Sequence, residues 1–77
     1  MAVIYKVVKE FRTKDRLPRI SYGIAALSDN GQGRIDIIKY IGDICDREEK
    51  IENLVRLCNQ SDLSPVHLYD VVEDFIS

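Results

Sequence analysis

The chain has 77 residues, 45% of them hydrophobic and 31% charged, with a formal net charge of −2, two prolines, two cysteines and no tryptophan. That mix excludes a disordered, collagen-like or disulfide-dense polypeptide. The length leaves room for one small domain, residues 1–77, without a lid over a deep catalytic cleft, and the near-neutral charge argues against a general nucleic-acid binder.

From Ala2 to Phe11, apolar and polar residues alternate. Val3, Tyr5, Val7 and Phe11 fall on one face of a strand, and Ile4, Lys6, Val8 and Glu10 on the other. Arg12 to Pro18 reads as a polar connection, closed by a proline that cannot donate to a ladder. Alternation resumes from Arg19 to Leu27, with Ile20, Tyr22, Ile24 and Ala26 set against Ser21, Gly23, Ala25 and Leu27. Ser28 to Gly33 is the strongest turn signal, because Asn30-Gly31 supplies positive φ angles. Arg34 to Ile41 completes a three-stranded antiparallel meander, with Ile35, Ile37 and Ile41 on one side and Asp36, Ile38 and Tyr40 on the other.

The period changes after Gly42. Asp46 suits a helix cap, and Glu49 three residues later completes a capping box. Ile51, Leu54, Val55 and Cys58 then form one apolar stripe, which Asn59 ends as the left-handed residue. Ser64 caps a second helix with Pro65 at its first position. Leu68, Val71, Val72, Phe75 and Ile76 repeat the apolar spacing, with Leu68 and Phe75 buried. The expected fold is α+β, in the order β-β-β-α-α.

If both helices cover the Val3/Tyr5/Val7, Ile20/Tyr22/Ile24 and Ile35/Ile37 face, the other face still carries Ile4, Val8, Ala25, Leu27, Ile38 and Tyr40. A solvated sheet face reads as polar, and this one does not. Either one helix packs on each face, or the sheet meets a second copy or a protein partner.

Charge is segregated along the chain. Residues 1–40 carry eight basic side chains against four acidic ones, and residues 41–77 carry three against nine. Attraction between two layers of one domain accounts for this, and so does a basic patch. Arg12, Lys14, Arg16 and Arg19 form the densest positive cluster, which on a hairpin connection reaches phosphates weakly. Asp70, Glu73 and Asp74 lie opposite the apolar stripe of the last helix, as a solvated face or a docking face for a protein partner.

No catalytic, cofactor or metal site is read from the residues. Cys45, Cys58 and the sole histidine, His67, lack the spacing of a metal site. Cys58 falls on the core stripe; Cys45, before a helix start, is the better reactive thiol. The absence of a signal sequence or a span of about 18 apolar residues points to a cytoplasmic chain with reduced thiols, not bound to membrane.

The run Cys58–Phe75, with the pattern C-N-x-x-x-L-S-P-x-H-L-x-D-V-V-E-D-F, resembles the signature of a family of short uncharacterised proteins from clostridia and related Gram-positive bacteria. Tyr22-Gly23-Ile24 and Asp43-Ile44 are similar to the family's upstream positions. The resemblance implies a bacterial, intracellular, single-domain protein with no assigned activity, and it carries over no catalytic residues. Within the motif, His67, Asp70, Glu73 and Asp74 are the residues that core packing does not require. The expected function is therefore a non-enzymatic protein-interaction or regulatory module, self-associating and without cofactor. The alternative is a weak nucleic-acid binder using Arg12–Arg19.

Overall fold

Three antiparallel strands, β1 (Ala2–Lys14), β2 (Leu17–Asp29) and β3 (Ile35–Cys45), form one sheet in the order β1-β2-β3. Two helices follow, α1 (Glu48–Gln60) and α2 (Leu68–Ile76), the second entered through a 3-10 turn at Pro65–His67. This computed structural model describes residues 2–29 and 31–76, and the side chains of all of these except Ala2 and Lys14. Asn30 of the expected second turn lies outside the described residues. Its neighbours Gly31 and Gly33 both hold positive φ, and Asp29 Oδ1 accepts the Gly31 N–H at 2.9 Å.

The expected polar connection at Arg12–Pro18 is strand instead. Asp15 and Arg16 alone make the turn, with φ of 53° and 67°, the paired positive values of a two-residue hairpin turn that matches strand twist. Pro18 pairs with Thr13 and is tolerated because β3 reaches only as far as Tyr22, leaving β2 an edge beyond that point. The outer pairs, from Glu10↔Ser21 to Lys14↔Leu17, thus form a two-stranded arm.

β3 runs on past the expected end at Ile41, through two irregularities in its pairing with β2. At the first, Ala26 pairs with Lys39 but Leu27 pairs with Ile37, so Ile38 is an extra residue. A bulge of this kind reverses which side chains share a face. Ile35 and Ile37 therefore fall beside Asp29 and Leu27, away from the helices, which corrects their expected placement on the covered face. At the second, three residues of β3 oppose Gly23 alone, and Asp43 takes φ of 53°. A Cβ on Gly23 would lie 2.5 Å from the Ile41 carbonyl oxygen, so only glycine fits beneath this bulge.

Both helices pack on one sheet face. Ile51, Leu54, Val55 and Cys58 of α1 and Leu68 and Val72 of α2 close over Tyr5, Tyr22, Ile24 and Ala26 to make the core. α1 begins at Glu48 with Arg47 at the cap position and no side-chain cap bond, so the expected Asp46/Glu49 capping box does not form. Glu48 and Glu49 in the first turn still complement the helix dipole. Asn59 lies inside α1 rather than ending it; the left-handed residue is Asp62, with φ of 51°. Ser64 does occupy a cap position ahead of Pro65, but its side chain makes no cap bond. Phe75 is half-buried where full burial was expected, because the last turn of α2 overhangs the end of the sheet beside Ile44 and Cys45.

Candidate functional site

The four motif residues of the C-terminal half are all exposed. His67 closes the 3-10 turn, its N–H bonded to the Ser64 carbonyl at 2.9 Å. Asp70, Glu73 and Asp74 lie on α2 opposite the buried Leu68 and Val72, as the helical period requires. Among the described residues, no three or more histidine, cysteine or carboxylate side chains come together as a metal site. Cys45, Cys58 and His67 therefore do not converge.

The basic cluster is brought together in part. Arg12 and Arg19 face one another across the arm, and Arg16 occupies its turn; the Lys14 side chain lies outside the described residues. Arg12 donates to the Glu10 carboxylate. A groove of about 320 Å³ runs along the base of the arm, lined by Arg12 and Arg19 but also by Asp43 and Asp46. Ser21 Oγ in its wall donates to Asp43 Oδ1 at 2.6 Å. The positive field of the arginines is thus met by carboxylates within the same groove. Cys45 also lines it, as the last residue of β3 and just before the start of α1, with its thiol directed at the Arg47 carbonyl at 3.4 Å.

Asn59, expected to end the first helix, proves structurally central in another way. The Asn59 amide grips the outer edge of β1: its Oδ1 accepts the Tyr5 N–H at 2.8 Å, and its Nδ2 donates to the Tyr5 carbonyl at 3.0 Å. It stands where a fourth strand would pair. The Tyr5 hydroxyl, 1% exposed as a residue, donates to the Leu63 carbonyl at 2.6 Å and ties the helix connection to the sheet. Burial, with Cys58 and Asp62 nearby, raises the Tyr5 pKa. Burial followed by the Glu48 carboxylate does the same for Tyr22, and burial raises the Cys58 thiol.

Among the described residues, the face turned away from the helices has no covering element. Ile4, Leu27 and Ile37 are register partners across all three strands. Tyr40 and Ala25 form the adjoining row with Lys6, and Ile35 lies beyond. Ile4, Tyr40 and the bulged Ile38 are exposed, and Ile35 and Ile37 are each 69% exposed. Leu27 and Val8 are half-buried and Ala25 is buried, so the centre of the face is shallow and its rim stands up. Neighbouring isoleucines in water are an unstable arrangement, and contiguous apolar patches of this kind mark interaction surfaces.

A family model described as a family of unknown function matches residues 1–77. No curated protein and no solved structure matches the chain. No described helix is long and apolar enough to cross a membrane.

Proposed function

The chain belongs to DUF6514, a family of unknown function, and we propose that it works as a non-enzymatic protein-interaction module that docks through the uncovered face of its sheet. The row Ile4–Leu27–Ile37 carries this reading: three large aliphatic side chains in register, on the face neither helix covers. Fully burying such a side chain from water is worth about 1.5–3 kcal/mol, and the part of each that is still exposed gives association a driving force without any charged contact. The exposed acids Asp70, Glu73 and Asp74 and His67 sit on the opposite layer, where they keep that side solvated or meet a basic partner. A bacterial, intracellular setting belongs to the same reading and is supported by the resemblance of the Cys58–Phe75 motif.

The test compares the immobilised chain with its Ile37→Lys variant in native cytosol. Proteins retained by the first, a second copy included, should be lost by the second. Identical retention would sink the proposal.

The protruding arm favours one further reading, weak binding of single-stranded nucleic acid by Arg12, Arg16 and Arg19. Titration at two salt concentrations decides it. Phosphate contacts weaken steeply with salt, so affinity that is absent at low salt rejects it.

A further inference from the structure

We propose that the occupant of the uncovered face is a second copy of this chain, the two sheets packing face to face about a two-fold axis. The proposal rests on reading that face as a docking surface, and it adds the identity of the partner and the mode of contact.

The first argument is area. The chain exposes 5740 Å², whereas a compact monomer of 8.9 kDa should expose about 4,800 Å². The excess, about 900 Å², is close to the roughly 800 Å² that each partner contributes to a stable interface of ordinary size. The arm contributes part of this excess, and the exposed isoleucines and Tyr40 of the uncovered face contribute another part.

The second argument is the state of the sheet's other surfaces. The opposite face is occupied by α1 and α2. At the β1 edge, Asn59 already takes both backbone groups of Tyr5. The β3 edge is broken twice, at Ile38 and between Gly42 and Ile44, and bulged edges resist strand addition. Edge pairing is therefore obstructed at these points of the body of the sheet; the arm keeps open edges, but pairing there would bury none of the apolar side chains of the uncovered face.

The third argument is self-complementarity. A two-fold contact sets one patch against itself. The side chains of Ile4, Leu27, Ile35, Ile37 and Tyr40 bring no charge to such a contact, and the charged neighbours in their rows, Lys6 and Asp29, are of opposite sign. The patch's low centre at Ala25 gives room for the raised rim of the other copy. Sheets packed in this way lie about 10 Å apart with strands within about 30° of alignment.

Light scattering coupled to size exclusion, followed by sedimentation equilibrium over a wide concentration range, tests the proposal on the full chain. Wild type should give twice the monomer mass of 8.9 kDa. Ile37→Lys should weaken association by about a hundredfold or more, since it places a charge within an apolar contact. Phe11→Lys, on the arm, should leave association unchanged. Circular dichroism checks that both variants fold, and both sites are exposed enough to tolerate lysine. A dimer lost through Phe11→Lys but not Ile37→Lys overturns the face-to-face contact. A monomer throughout, whose other bound proteins still depend on Ile37, overturns the second copy and leaves the docking face standing. A monomer whose bound proteins ignore Ile37 overturns both.

Discussion

At the residue scale, Asn59 and Tyr5 hold the two layers together through groups that carry no packing role of their own. Truncating Asn59 to alanine leaves the Tyr5 N–H and carbonyl without their partners. The expected cost is about 1–2 kcal/mol in urea unfolding, the range for hydrogen bonds that are only partly replaced by water. Ser64→Ala, by contrast, should change stability by less than about 0.5 kcal/mol, because the Ser64 side chain caps nothing. The raised pKa values of Tyr5, Tyr22 and Cys58 set an alkaline limit. The folded state holds these protons more tightly than the unfolded chain, so their contribution is intact below the ordinary values of 9.0 for the thiol and 10.0 for the phenols. It is lost as pH rises through and beyond those values. Unfolding midpoints measured from neutral to strongly alkaline pH should hold steady and then fall; a midpoint insensitive to that rise would contradict the burial of all three groups.

At the element scale, periodicity located all five regular elements, and the errors fell at their ends. The alternation of β1 and β2 is visible as far as Phe11 and from Arg19 onward, but charge obscured the arm between them. Charged side chains are compatible with a strand exposed on both faces, so composition alone could not separate arm from loop. The bulge at Ile38 left no sequence signal either, since an extra isoleucine in an isoleucine-rich strand looks like any other. α2 shows the same limit in reverse: its stripe is plain, but which members are deepest depends on where the sheet ends. Leu68, fully buried, should cost about 2–5 kcal/mol when truncated to alanine, and half-buried Phe75 less than Leu68. Equal losses in chemical denaturation would reject this ordering. Amides of the arm should exchange with solvent far faster than those of Ile24 and Ala26, because a lone hairpin is at best marginally stable.

At the scale of the molecule, the arm and the bare sheet face give an elongated body of 43 × 27 × 19 Å. Its radius of gyration of 13.3 Å exceeds the roughly 11.5 Å expected of a compact chain of this length. In the proposed dimer, a domain so small, with so much apolar surface outside its core, would gain stability from association by mass action. The thermal midpoint should therefore rise with protein concentration in the wild type and stay flat in Ile37→Lys. A concentration-independent midpoint in both would show that folding draws nothing from a partner.

Length and composition led to the expectation of one small domain, and the two hydrophobic periods, two and then 3.6, determined the β-β-β-α-α order without reference to any fold. They also revealed that the sheet has more apolar residues than one layer of helices can cover. Alternation named Ile4, Val8, Ala25, Leu27 and Tyr40 among them; that Ile35 and Ile37 join them was decided only by tertiary structure. A single bulge moved Ile35 and Ile37 to the bare face, and register pairing aligned Ile37 with Leu27 and Ile4. The candidate site residues show the same division. His67, Asp70, Glu73 and Asp74 were legible as exposed because helical spacing fixes a residue's side of its own helix. The grip of Asn59 on Tyr5, 54 positions apart, was not, because local pattern carries no information about contacts made by the folding together of distant segments.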